Sequence, residues 1–91
     1  MQLRWTEEAA DDLERIADYL LIHAPDRAAE LVRAVYDAPA TLLTFPQRGR
    51  PGKRDGTREL VLAPLPYIVV YTVRTDLIFV VRILHGAQQW P

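Results

Sequence analysis

Two hydrophobic periods divide this chain, and the change between them limits the folds open to it. Residues 7–23, "EEAADDLERIADYLLIH", repeat apolar positions at intervals of three and four. Ala9, Leu13, Ile16, Ala17 and Leu20 form one stripe, and Asp11, Asp12, Glu14, Arg15 and Asp18 fall on the other side, the pattern of an amphipathic helix. From residue 58 onward the chain reads "RELVLA", "YIVVYTVR" and "LIFVVRILH". These β-branched, mostly apolar runs are separated by Pro64, Pro66 and Thr75-Asp76 and predict three strands of an antiparallel meander.

Local signals sharpen the first half. "QLRW" at 2–5 has the character of a short strand, and Thr6 followed by Glu7 and Glu8 makes a helix N-terminus with its cap and two acids near the dipole. The first helix is expected to end near His23. Pro25 is expected to open a second helix, because proline tolerates the first turn. That helix should bury Ala28, Val32, Val35, Leu42 and Leu43, with a kink or an early end at Pro39. "FPQRGRPGKRDGT", residues 45–57, has no hydrophobic period and reads as a loop.

The resulting order is strand, helical hairpin, three-stranded meander: an α+β domain with the helices on one face of a small twisted sheet. At 91 residues the chain is expected to form a single domain, 1–91, with one small core. Two helices cover one face, so the apolar strands predict a second face left for a partner chain.

Composition excludes several classes of function. With no cysteine there is neither a disulfide framework nor a thiolate zinc site, and His23 and His85 stand in different segments without chelating spacing, so no metal and no cofactor are expected. The N-terminus lacks an apolar stretch of the secretory type, and no run is long enough to span a membrane, which favours the cytoplasm. Charge is unevenly spread. Residues 1–37 hold nine acids against four bases, and residues 38–91 hold three acids against seven bases. Such a division suits different partners on two faces, or simply a solvated acidic helix surface.

Two places could carry chemistry. Residues 48–58 concentrate Arg48, Arg50, Lys53, Arg54 and Arg58 against Asp55 alone. Guanidinium groups on a glycine-containing loop suit oxyanions, and the same pattern also serves a loop kept soluble by charge. The absence of aromatic residues within this stretch argues against base stacking there. The second place is the end of the chain, "VRILHGAQQWP", where Arg82 and His85 interrupt an apolar strand. Alternation puts Ile78, Val80, Arg82 and Leu84 on one face and Leu77, Phe79, Val81, Ile83 and His85 on the other unless a bulge intervenes. Arg82 among apolar neighbours requires either a carboxylate, Glu59 being one candidate, or an anion arriving from outside. His85 with Lys53, Arg58 and Arg82 supplies the group types that metal-free phosphodiester cleavage needs, although a single His at a strand end also serves as a structural hydrogen-bonding residue. Tyr67 and Tyr71 share a strand face and are expected in the core.

The ordered set "EEAADDLERIADYL", "FPQRGRPGKRDGTREL", "PYIVVYTV" and "VRILHGAQQWP" resembles the RelE/ParE superfamily of toxins from bacterial type II toxin–antitoxin modules, over nearly the whole chain. The resemblance implies a helical hairpin on a small antiparallel sheet. It also implies a growth-inhibiting protein held inactive in a hetero-oligomeric complex with a cognate antitoxin, expected to carry a DNA-binding N-terminal part and a C-terminal segment that folds onto the sheet and orders on binding. RelE-like members cut messenger RNA on the ribosome with lysines, arginines and a late acid or base, and Arg58 and Arg82 match arginine positions of that set. The lysine-rich segment is reduced here to Lys53, and "GAQQWP" stands where a C-terminal helix or tyrosine would be. The pattern is closer to the ParE-like branch, which implies a gyrase inhibitor in which no residue is catalytic. On this resemblance the target- or antitoxin-binding candidates are Arg48, Arg50, Arg54, Arg58, Arg82, His85 and Trp90, with Trp90 and Pro91 anchoring the tail. The alternative, a ribosome-dependent endoribonuclease, would use Lys53, Arg58, Arg82 and His85.

Overall fold

The structure is a computed structural model describing residues 1–86, 88 and 90. Its elements run β1 (Gln2–Trp5), α1 (Glu7–His23), α2 (Ala28–Asp37), a 3-10 turn (Ala38–Leu43), β2 (Arg50–Pro51), β3 (Arg58–Val61), β4 (Tyr67–Val73) and β5 (Leu77–His85). The strands form one mixed sheet in the order β1-β5-β4-β3-β2. The meander β3-β4-β5 is antiparallel as expected, and β1 joins its far edge parallel to β5, with Gln2 opposite Leu77 and Trp5 opposite Val80. Both helices contribute to the main core: Ala9 of α1 and Val35 of α2 pack with Leu42, Val69, Tyr71, Ile78 and Val80.

Thr6 starts α1 in the manner its sequence indicates. Its backbone is extended (ψ 161°) and its Oγ1 accepts from Ala9 N at 3.1 Å, with Glu7 and Glu8 in the first turn. The same hydroxyl donates to Val81 O at 2.9 Å while Thr6 N donates to Val80 O at 3.0 Å. One residue therefore ends the strand pairing with β5 and begins the helix.

The helical hairpin corrects two expectations. Pro25 lies in the turn between the helices, not in the first turn of α2, because Arg27 N bonds back to Ala24 O at 3.0 Å and the helix starts only after the chain has reversed. Pro39 ends α2 early, as anticipated, and the chain continues as a 3-10 turn with Pro39 itself buried. In that tighter winding of three residues per turn Leu42 stays inside and Leu43 rotates out to 40% exposure, instead of being buried. Residues 45–57 are not wholly loop either: Arg50 and Pro51 pair with Glu59 and Arg58 as an edge strand, a place where proline's missing N–H costs no ladder bond.

A bulge in β5 changes its alternation. Val70 pairs with Arg82 but the next residue, Tyr71, pairs with Val80, leaving Val81 without a direct opposite. As a result Ile78, Val80 and Ile83 all enter the main core, although simple alternation separates Ile83 from the other two. Leu84 joins Val70 and Trp90 in a second small cluster on the opposite face, with Val81 packed against it. The sheet face expected to be bare is thus partly covered by the chain's own tail. The larger exposed apolar side chains include Tyr19, Leu21, Ile22 and Tyr36, on the helices. Among the described residues no helix is long and apolar enough to cross a membrane.

Candidate functional site

The edge of β5 past Val80 is where local sequence and tertiary structure meet most closely. β1 stops at Trp5, so the N–H and C=O groups of β5 beyond that point need other partners. Thr6 supplies one, and Asp12, a turn and a half along α1, supplies the next: its Oδ2 accepts from Ile83 N at 2.9 Å and from Arg82 Nε at 2.7 Å, and its Oδ1 accepts from Arg82 Nη2 at 3.1 Å. Arg15 also contacts Asp12 Oδ1 from one helical turn on. The Asp12 side chain is 4% exposed and that of Arg82 17%. The hydrogen bond from Arg82 to Asp12 raises the pKa of the guanidinium, burial opposes it, and the charges of Asp12 and Glu8 add to the rise. Arg82 therefore has an internal carboxylate, as one of the two sequence readings required, but the partner is Asp12 and not Glu59.

The helical pattern groups Asp12 with the polar side of α1, and the structure buries it. The signal was present in the spacing: Asp12 lies three residues after Ala9 and four before Ile16, on the stripe that faces the sheet.

Beside this ion pair, Arg15, Ile16 and Tyr19 of α1 face Tyr67, Ile83, His85 and Gln88 across a groove of about 300 Å³ that also reaches Asp12. His85 sits edge-on to Tyr67 with ring centroids 6.1 Å apart. Burial raises the Tyr67 phenol above its ordinary pKa, and Tyr19 adds to the shift. His85 N donates to Gln88 Oε1 at 3.3 Å and Gln88 N to His85 O at 2.9 Å, which turns the chain at the end of β5.

Neither Lys53 nor Arg58 lines this groove. Arg58 pairs with Tyr71 on β4, whereas His85 pairs with Tyr67, so the two stand four residues apart along that strand, about 13 Å. Lys53 is exposed in the turn between β2 and β3. The set that an RNA-cleaving centre would draw on is therefore spread over separate places: Arg82 bound to Asp12, His85 in the groove, Arg58 and Lys53 on the far hairpin.

The cations of 48–58 form a second locality. Arg50 binds Glu59 Oε1 through Nε and Nη2, both at 3.0 Å, and Glu59 is buried. Arg48 Nη1 donates to Thr41 Oγ1 at 3.0 Å, and Arg58 Nη2 donates to Gln47 O at 3.0 Å while its buried Nε has no hydrogen-bond partner among the described residues. The Arg54 guanidinium lies 5.0 Å above the Trp90 ring. Tyr71 secures the segment leading into the hairpin: its hydroxyl donates to Pro46 O and accepts from Gly49 N, both at 2.8 Å. Trp90 is 8% exposed and packs with Val70 and Leu84, and Pro91 lies outside the described residues.

Two helices on a five-stranded mixed sheet, with the last strand tied to the first helix, form a small α+β domain of the architecture that the RelE/ParE resemblance implies. Comparison with known proteins agrees. Residues 3–90 match the model for the ParE toxin of the type II toxin–antitoxin system parDE. Protein Y4kP of Sinorhizobium fredii is 40% identical over 90 residues, covering 99% of this chain and 93% of that protein. Toxin RelE2 of Caulobacter vibrioides is 37% identical over 87 residues, covering 96% and 97%. A solved structure described as the chromosomal ParDE TA system from P. aeruginosa superposes with a TM-score of 0.85 at 30% identity, over 93% of this chain and 95% of that one. The chain belongs to the ParE toxin family of type II toxin–antitoxin systems, and membership implies a cognate antitoxin as its partner.

Proposed function

We propose that this chain, acting as one toxin domain in the bacterial cytoplasm, inhibits growth by binding DNA gyrase and poisoning it, without cleaving nucleic acid itself. The observation that carries this reading is the dispersal of Lys53, Arg58, Arg82 and His85. General acid–base cleavage needs its base, acid and charge-stabilising groups around one phosphate, within hydrogen-bond reach. Here Arg82 is held by Asp12, and Arg58 stands about 13 Å along the sheet from the position of His85.

The antitoxin is expected to silence the toxin by laying an ordering segment on its apolar surface. The exposed Leu21 and Tyr36 flank a groove between α1 and α2 of about 420 Å³, lined also by Leu13, Ala17 and Val32. Burying such a surface offsets the ordering entropy of a segment that is unfolded alone.

The test is DNA supercoiling by purified gyrase with antitoxin-free chain, its folding verified by antitoxin binding. Inhibition or accumulated DNA breaks, reversed by antitoxin, supports the reading. No effect from a folded chain overturns it and moves the target to the ribosome, where messenger RNA cleavage dependent on His85 would be the activity to measure.

A further inference from the structure

We infer that the β2–β3 hairpin, with the segment leading into it, is a docking surface for the phosphate backbone of duplex DNA. The inference rests on the gyrase reading, since gyrase acts on duplex DNA, and it assigns Arg48, Lys53, Arg54 and Arg58 as the contacting residues.

The cations differ in what neutralises them. Arg15 and Arg82 share Asp12, Arg27 has Glu30, and Arg50 has Glu59. The other cations of the hairpin rest on neutral groups: a threonine hydroxyl for Arg48, a backbone carbonyl for Arg58, an indole face for Arg54. Lys53 is exposed at the turn, and Asp55 is the one acid of the stretch besides the buried, paired Glu59. Four cations without a carboxylate partner among the described residues therefore stand against a single acid.

Each side of the hairpin carries its own anchored cations, Arg48 and Arg58 toward the helices and Arg54 over Trp90 on the opposite face. Arg48 and Arg58 both adjoin Gln47, one by sequence and one through its carbonyl. The turn carrying Lys53 and Arg54 is closed by Gly52 N to Thr57 O at 2.8 Å and by the Thr57 hydroxyl to Arg54 O at 2.6 Å. Gly56 takes the positive φ of 84° that this turn requires. Gly52 leaves no room for a side chain, since a Cβ there would lie 2.2 Å from Thr57 Oγ1. Guanidinium groups already resting on the protein lose less conformational entropy on gripping oxyanions, and Arg matches phosphate bidentately.

Duplex is favoured over single strand because the surface offers no track of rings for successive bases. Trp90 is buried beneath Arg54, and Phe45, 64% exposed beside this segment, is one ring. What is left is charge placed on a firm backbone, which reads phosphates and not sequence.

The experiment measures anisotropy of a fluorescein-labelled duplex of arbitrary sequence with the full chain, over a salt series, alongside the matching single strand. Four phosphate contacts give a slope of log affinity on log salt near −3.6, about 100-fold weaker binding at about 200 mM than at 50 mM. Lys53→Gln with Arg54→Gln should make the slope shallower by about 2, leaving roughly a tenfold salt effect. Antitoxin affinity should be unchanged, and the circular dichroism of the variant should show it folded. Absence of duplex binding by a chain that still binds antitoxin overturns the inference. So does tighter binding of the single strand, or a variant that keeps its DNA affinity, or one that loses antitoxin affinity instead, which would make the hairpin an antitoxin contact. Gyrase inhibition is assayed in parallel: a chain that binds duplex through these residues but leaves gyrase untouched retains the surface and refutes the gyrase reading.

Discussion

Asp12 and Arg82 meet across seventy residues of chain, Nε to Oδ2 at 2.7 Å and Nη2 to Oδ1 at 3.1 Å, and the same carboxylate receives the N–H of Ile83. This pair fastens α1 to the last strand at the point where β1 no longer does so. Its environment sets the size of the expected effects. Asp12→Ala leaves a mostly buried guanidinium without its carboxylate and an orphaned backbone N–H, and should cost about 3–5 kcal/mol in urea unfolding. Arg82→Met should cost less, because Asp12 keeps Ile83 N and Arg15. Combining Asp12→Leu with Arg82→Met should recover part of the loss but not all, since Ile83 N–H stays unpaired. Full recovery would show that the backbone contact contributes nothing.

The tail belongs to the fold through Trp90. Trp90→Ala removes the ring that covers Val70 and Leu84 and should destabilise by roughly 2–3 kcal/mol, below the 3–5 of a fully enclosed aromatic. Arg54→Ala should cost about 0.5–1 kcal/mol, the range of an exposed cation–π contact. Deleting residues 86–91 and assaying toxicity and antitoxin binding separately tells whether the tail also works at the functional surface; no change in either limits it to stability.

Gly49 has no space for a methyl group. A Cβ there would lie 2.7 Å from Cε1 and Oη of Tyr71 and 2.8 Å from Glu59 O, so Gly49→Ala must displace the ring or the β3 backbone. A loss of about 1–3 kcal/mol is expected. If Tyr71 swings away instead, its bonds to Gly49 N and Pro46 O disappear, which amide exchange at Gly49 would report.

Tyr67 predicts an alkaline limit. Its phenol is held above the ordinary value mainly by burial, so the folded state keeps the proton more tightly than the unfolded one. The associated stability is fully present below pH about 10 and is lost as pH rises through the folded-state pKa. Tyr67→Phe should flatten this part of the stability profile, measured by urea midpoints across alkaline pH. An unchanged alkaline slope would assign the loss to other groups.

His85 separates the two activities. If the chain works by binding, His85→Gln should change growth inhibition less than about tenfold, whereas a general acid or base is worth about 100-fold or more. A loss of the larger size in a folded variant would count against the gyrase reading.

Much of the architecture is legible in the sequence. The N-cap at Thr6, the early end of α2 at Pro39 and the runs that became β3, β4 and β5 are local events, decided by which backbone conformations neighbouring residues favour. The bulge was another matter: one unpaired residue at Val81 leaves no mark in composition, yet it brings Ile83 onto the face of Ile78 and Val80. The family signature was readable too, because its pieces lie in order along the chain.

What this sequence determined by itself was the element order, the helical stripe and the concentration of positive charge at 48–58, all properties of residues near one another in the chain. Only the tertiary structure decided the partners of the charges. Asp12 is one acid among several on α1 until β5 presents an unpaired N–H and a guanidinium to it, and Arg50, not Arg82, takes Glu59 because β2 and β3 place them opposite each other. An isolated charge costs more to bury than a paired and hydrogen-bonded one, so the spacing that sets Asp12 on the inner stripe gains its meaning only once the partner is known. That pairing is a relation between distant parts of the chain, which no local pattern contains.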